Sequence, residues 1–294
     1  MLTNARIALV TCAELVDLHP DDQLLVAPLA AAGVVAEPAV WDDPAVDWSG
    51  FDLVVLRSAW DYPSRRDAFV AWATSVERLL NPADVVAWNT DKRYLAALDR
   101  ARVPVVPTTF LEPGTAPSLP AQGEWVLKPA IGAGSLDAGR YDLGDPQHRE
   151  LARAHVDRLH ADGRIVMRQP YLAAVDHDGE TALLYLGGEF SHAVRKGPML
   201  QGPADSIAGL YKEEEITTRA ATPAQRAVAD AALAAVPGGG HRLLYARVDI
   251  IDGPDGRPLL VELELTEPSL YLGYADGATD RLTAAILRAV VAAR

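Results

Sequence analysis

At 294 residues the chain is longer than one typical domain, and 49% hydrophobic with 23% charged residues describes a globular protein of two or three lobes, not a disordered or fibrous one. A net charge of −13 excludes a general binder of nucleic acid or acidic membrane, which would need surplus Lys and Arg to neutralise phosphates. The single cysteine, Cys12, excludes an intrachain disulfide framework and a cysteine-based zinc site; placed after an apolar strand, it reads as a small packed residue.

The first lobe alternates β and α. RIALV (6–10) is an apolar strand, and residues 21–32 have helical apolar spacing behind an acidic start, with Pro28 expected to kink or shorten that helix. VVAEPAV (34–40) and LVVLR (53–57) are further strands, and residues 65–80 place Phe69, Trp72, Val76 and Leu79 at helical spacing. This predicts a small, mostly parallel sheet with ligands beyond the carboxyl ends of its strands. WDDP (41–44) and the run from Arg57 to Tyr62 follow two such ends. Arg57 could hold a substrate carboxylate through two hydrogen bonds, or pair with Asp61 or Asp42 to fix the loop. Trp41 and Trp48 read as packing residues.

A boundary is expected near 82–90, dividing lobes 1–88, 89–170 and 171–294. Asn89 or Thr90 would cap a helix containing Lys92. A Pro-rich connector (104–120) holds one short strand at 105–110, and EWVLKPA enters a glycine loop. A helix over 146–160 and a strand over 164–169 follow. TALLYLGG (181–188) and EFSHAVRK (189–196) predict a hairpin turning at Gly187-Gly188. Residues 198–215, with the Glu213-Glu214-Glu215 run, read as a solvated excursion or a lid. A helix over 222–235, two acidic strands and a final helix over 278–292 complete the chain.

The chemistry-bearing residues fall in a fixed order. Lys92 comes first, then Lys128 ahead of the small-residue loop in VLKPAIGAGS (126–135), then RQPYL (168–172), then YARVDII (245–251) and LLVELEL (259–265). Gly132, Gly134 and Ser135 let backbone N–H groups approach an anion, although the loop is neither a P-loop nor a GxGxxG. Glu262 and Glu264, two apart in a strand, share one face, and Asp249 on the next strand can share it. Three carboxylates among apolar neighbours need a cation: magnesium or manganese suits their hard oxygens, and pairing with Arg247 and Lys196 is the alternative. The ordered set points to ATP. The histidines form no metal set: His192 reads as a hydrogen-bonded strand residue and the others as loop or exposed helix. No arranged serine or cysteine nucleophile is present.

Over about residues 89–274 these motifs resemble the ATP-grasp superfamily of carboxylate–amine ligases, especially bacterial glutathione synthetases and ribosomal-protein glutamate ligases. The resemblance implies an α/β fold with α+β lobes, in which two lobes clamp ATP and an N-terminal parallel α/β lobe completes the acceptor site. It implies that Lys92 and Lys128 contact phosphates and that Gly132, Gly134 and Ser135 form the flap over them. Gln169, Tyr171 and Leu172 would hold adenine, and Glu180 ribose. Arg247 would stabilise charge at the reacting carboxyl, while Asp249, Glu262 and Glu264 would hold magnesium. Many relatives have asparagine at the last of these positions, so Glu264 is a departure. Arg57, Arg195 and Lys196 are the candidates for binding the amino-acid substrate. GGEFSHAVRKGP, VELELTEPSLYL and the N-terminal WDDP and LRSAWDY segments are similar to the cycloserine-forming cyclo-ligases of antibiotic biosynthesis. That implies cyclisation of O-ureidoserine; joining two amino acids and ATP binding without catalysis are the alternatives. A signal peptide's charged and apolar regions are missing and no apolar run approaches ~18 residues, so a cytoplasmic enzyme is expected, with a homodimer compatible and no nucleic-acid or membrane partner.

Overall fold

The computed structural model describes residues 5–200, 202–204, 210–212 and 214–294, so Glu213 of the acidic run lies outside the described residues. Three sheets follow one another along the chain. The first comprises β1 (Ala5–Thr11), β2 (Val34–Val40), β3 (Leu53–Ser58) and β4 (Leu79–Leu80). Its order is β2-β1-β3-β4, all parallel. β3 is buried at every position and β1 at all but one, the pattern of a parallel sheet covered on both faces. Cys12 is fully buried.

The helix expected over 21–32 is two short ones, α1 (Pro20–Gln23) and α2 (Val26–Ala31). An unbroken helix would drive the Pro28 ring into the carbonyl of Leu24; as the third residue of α2, Pro28 lacks only an N–H that would have no helical partner. α3 (Arg66–Ser75) covers the other face of the sheet, with Phe69 and Trp72 stacked on each other and edge-on to Trp41. α4 (Ala83–Asn89) and α5 (Tyr94–Arg100) lead out of the lobe. Neither Asn89 nor Thr90 caps the second helix. Asn89 ends α4, and its side-chain amide instead bridges to Leu263 O and Leu265 N, each at 2.7 Å.

The second sheet has β5 (Thr109–Leu111), β6 (Glu124–Pro129), β7 (Gly139–Asp142) and β8 (Val166–Pro170) in the antiparallel order β5-β8-β6-β7. The strand expected at 105–110 begins only at Thr109, because Pro104 to Val106 is drawn into a parallel bridge with Leu260 of the third sheet. α6 (Pro146–Ala161) backs this sheet, its first turn capped by Asp145, which accepts from Gln147 N and His148 N. His155 on α6 is buried against Tyr141, not exposed as its segment suggested. α7 (Ala174–His177) leads into the third sheet.

That sheet contains β9 (Glu180–Leu186), β10 (Glu189–Lys196), β11 (Ile216–Arg219), β12 (Tyr245–Asp252) and β13 (Pro258–Glu264), antiparallel in the order β11-β10-β9-β12-β13. The β9–β10 hairpin turns at Gly187 and Gly188, whose φ of +62° and +84° a side chain would oppose. α8 (Pro223–Ala234) covers one face through Val228 and Ala232. α9 (Ala278–Ala293) covers the other: its Leu282, Ile286 and Val290 share a core with Leu184 of β9 and with Ile7 and Leu9 of the first sheet. At ~1.5–3 kcal/mol for each large apolar side chain, this shared core fixes the first lobe against the third. No helix among the described residues is long and apolar enough to cross a membrane.

Candidate active site

Two adjoining cavities lie between the sheets. A cleft of about 350 Å³ is walled by the first lobe, the glycine loop and the third sheet. A smaller cavity of about 120 Å³ continues between β6–β8 and β12–β13. Lys128, Lys196 and Glu262 line both, so charge sits where they meet. The smaller cavity is apolar, with Val106, Val126, Ile251 and Val261 facing Gln169, Tyr171 and Leu172, and Glu180 at its edge. Gln169 donates to Thr108 at 2.9 Å, and Arg140 lies over the Tyr171 ring at 3.6 Å.

The third sheet arranges the charged groups. Asp249 pairs directly with Glu262, and Arg247 with Glu264, across β12–β13. A register shift leaves Val261 as the extra residue of a bulge, and that bulge sets Glu262 opposite Asp249. Asp249 accepts from Lys196 at 2.7 Å and Arg247 at 3.0 Å. Glu262 meets Lys92 at 3.0 Å and Lys128 at 3.4 Å. Arg247 also donates to Glu264.

Burial works to raise every one of these acids, and their neighbours decide the outcome. Against that burial, Lys92 and Lys128 bring Glu262 down to about 2. Arg247 and Lys196 likewise hold Asp249 below its usual range. Glu264 goes the other way, up to about 7, because burial and the charges of Glu262 and Asp249 outweigh Arg247. Burial would discharge Lys92 and Lys196, but Glu262 holds the first, and Asp249 the second, above the usual lysine range.

The glycine loop closes from above. Gly134 has φ +59°, and a Cβ there would sit 2.4 Å from Leu210 O and 2.6 Å from Tyr211 Cα. Lys212 N donates to Gly134 O at 3.1 Å, and Lys92 Nζ reaches Gly132 O at 2.6 Å. Ser135, also at positive φ, contacts Met199. The described part of the 198–215 segment therefore packs on the loop instead of standing off in solvent.

Lys92, Lys128, Gly132, Gly134, Ser135, Lys196, Arg247, Glu262 and Glu264 come together on the larger cleft, and Gln169, Tyr171, Leu172, Glu180 and Asp249 on the smaller cavity. Two expected substrate residues are elsewhere. Arg57 is 1% exposed, pairs with Asp22 at 2.8 Å, and donates to Pro268 O at 2.8 Å. Neither Asp61 nor Asp42 is its partner. Arg195 reaches outward to Asp178 O and Glu215 and lines neither cavity.

The expectation of three carboxylates converging on one metal is also corrected. Among the described residues no group of three or more acidic, His or Cys side chains forms a ready cage, and Glu264 turns to Arg247. The pairing with Arg247 and Lys196 read as an alternative from the sequence is realised at Asp249. The donor set still fits a hard divalent ion, since Asp249 and Glu262 are facing carboxylates held ionised. Several lining residues were not singled out individually in the sequence, although most lie in segments that it marked. His19, Asp21, Trp60 and Tyr62 come from the first lobe, and Glu267, Ser269 and Tyr271 follow β13. Glu267 is pushed up to about 8 by burial and by Glu264.

Residues 7–81 match the N-terminal domain of D-cycloserine synthetase DcsG. The chain is 39% identical over 297 residues to the cycloserine biosynthesis protein DcsG of Streptomyces lavendulae, covering 95% of this chain and 97% of that one. It belongs to the cycloserine-synthetase family of ATP-grasp ligases. The crystal structure of D-cycloserine synthetase DcsG superposes with a TM-score of 0.84 at 37% identity, over 97% of this chain and 100% of the other. D-alanine–D-alanine ligase from Bacillus anthracis, 14% identical with a TM-score of 0.65 over 98% of both chains, shares the fold. As a member of the cycloserine-synthetase family, the protein is an ATP-dependent ligase that forms C–N bonds and releases ADP.

Proposed function

We propose that the protein closes the cycloserine ring from O-ureidoserine. The substrate carboxylate takes the γ-phosphoryl group of ATP, giving an acyl phosphate and ADP. The substrate's own aminooxy nitrogen then attacks the acyl carbon and expels phosphate. Water hydrolyses the carbamoyl group from that nitrogen, and the group leaves as carbon dioxide and ammonia.

The observation that carries this reading is the size and closure of the cleft. About 350 Å³ walled by the first lobe, the glycine loop and Tyr211 suits a small amino acid beside a terminal phosphate, not a peptide. Similarity over nearly the whole chain to a cycloserine biosynthesis protein supports the same substrate class.

The roles follow from position. The apolar cavity receives adenine against Gln169, Tyr171 and Leu172, with Glu180 toward ribose. Lys92 and Lys128 exchange Glu262 for the phosphates, over which Gly132, Gly134 and Ser135 close. Asp249 and Glu262 would hold magnesium, or manganese in its place, which supplies charge neutralisation between the phosphates. Arg247, fixed by Asp249 and Glu264, offers N–H donors to the reacting carboxyl, where charge develops. The closed loop keeps water from the acyl phosphate. A biosynthetic reaction that consumes ATP belongs in the cytoplasm.

The test is to incubate the protein with magnesium, ATP and O-ureidoserine and to look for ADP and for cycloserine by mass. ADP that forms only with two different amino acids, together with a dipeptide product, would overturn cyclisation and leave an intermolecular ligase.

A further inference from the structure

The wall that the first lobe gives to the cleft has no part in the ATP-binding set. Five described carboxylates line the cleft: Asp21, Glu214, Glu262, Glu264 and Glu267. Three are matched to cations. Glu262 has Lys92 and Lys128, Glu264 has Arg247, and Glu214 has Lys196 at 3.6 Å. Glu267 and Asp21 have no ion-pair partner among the described residues. The Tyr62 hydroxyl donates to Glu267, and the Lys92 charge near it is already held by Glu262. Asp21 Oδ1 accepts from Gly273 N at 3.3 Å, while its Oδ2 is buried with no partner.

Both carboxylates are held in place. The Glu267 carbonyl accepts from Trp60 Nε1 at 2.8 Å, and the Pro268 carbonyl accepts from the buried Arg57 at 2.8 Å. Asp21 stands at the start of α1, where its N–H donates to the His19 ring. His19, Trp60 and Tyr211 pack on one another with centroids 5.0, 5.0 and 5.8 Å apart, an aromatic wall to the cleft. A buried carboxylate without a counter-ion is unfavourable, and a cationic ligand with N–H donors relieves it. A primary ammonium has three donors, enough for both carboxylates, and aromatic faces favour it too.

We propose that Glu267, with Asp21 of the same cleft as second acceptor, binds the α-ammonium of the amino-acid substrate, so that a free amine is required for productive binding. This rests on the ligase reading of the cleft and names the group that selects its substrate. Fixing the ammonium where the first lobe meets the turn after β13 would hold the small molecule at one end while its carboxylate meets Arg247 at the other.

The experiment compares O-ureidoserine with 3-(ureidooxy)propanoate, the same molecule without the amine, in ADP release by the full-length enzyme. The wild type should prefer the aminated compound by roughly 10- to 100-fold in kcat/KM, the weight of a charge-assisted hydrogen bond. Glu267→Gln keeps an acceptor for Tyr62 and removes the charge. It should erase that preference through KM for the amino acid and leave KM for ATP unchanged. Asp21→Asn should shift the preference in the same direction, and it decides the matter if the Glu267 variant does not fold.

Equal use of both compounds by the wild type would overturn the proposal. So would an equal loss for both in Glu267→Gln, or a change confined to ATP. If the wild type releases ADP only with some other small amino acid, cyclisation fails. The same comparison on that amino acid and its deaminated analogue still decides the role of Glu267.

Discussion

Asp249 and Glu262 face each other across β12 and β13, and each is held by two cations. Lys196 and Arg247 meet the first, Lys92 and Lys128 the second. ATP therefore enters a site whose positive groups are already matched. On the proposed reading its binding would be an exchange: the triphosphate would take the two lysines of Glu262, and the carboxylates they leave would be free to hold a divalent ion. This arrangement keeps buried charge compensated in the protein alone, where an unpaired lysine or carboxylate would destabilise the fold.

Replacing Glu262 tests that exchange. Glu262→Gln should lower ADP release by at least roughly 100-fold, the scale of removing an electrostatic group from a transition state. The fold should persist at reduced stability, because Lys92 loses its counter-charge but keeps its contact with Gly132 O. Calorimetry with unchanged ATP affinity, together with full activity, would remove Glu262 from the phosphate site.

Arg247 can be probed by a change that keeps its charge. The guanidinium bridges Asp249 and Glu264 at once, and the ammonium of Arg247→Lys cannot span both. The rate at saturating substrates should fall roughly 100-fold while the nucleotide dissociation constant moves little. Lost nucleotide binding with a normal saturated rate would contradict a role at the reacting carboxyl.

The buried pair of Arg57 and Asp22 is structural. Their side chains are 1% and 2% exposed, and Arg57 also ties β3 to the turn at Pro268. Asp22→Ala leaves an uncompensated buried guanidinium and should destabilise the protein by about 3–5 kcal/mol. Chemical denaturation measures it, and a loss below about 1 kcal/mol, the range of a surface pair, would show that Arg57 finds another partner.

Glu267 gives stability a defined pH dependence. Its carboxyl is held up to about 8 in the folded protein, well above the ordinary value near 4.5. The unfolded chain therefore loses this proton first, and stability falls as pH rises from about 4.5 to about 8. Glu267→Gln cannot ionise and should escape that loss. It should match the wild type near pH 4.5 and exceed it at pH 8 by on the order of 4 kcal/mol. Equal melting temperatures at both pH values would show that the carboxyl is not held protonated.

The sequence alone determined most of the elements and much of the candidate nucleotide site. Period-two alternation in VELEL put Glu262 and Glu264 on one side of a strand, and a lysine before IGAGS marked a loop that accepts an anion. Those signals are local, because they depend only on backbone geometry and on neighbours a few positions away. Tertiary structure decided the partners. The bulge at Val261 sets the register of Asp249 with Glu262, and the pairing of β13 with β12 fixes it. Arg57 and Trp60 meet Pro268 and Glu267, 211 and 207 positions away, so a segment that looked ready to hold substrate instead braces the turn that carries Glu267. Whether a buried charge meets a counter-charge, a carbonyl or a ligand depends on how separate sheets pack. No periodicity in the chain encodes that choice, which is why the sequence left two readings open for Arg57 and did not single out Glu267.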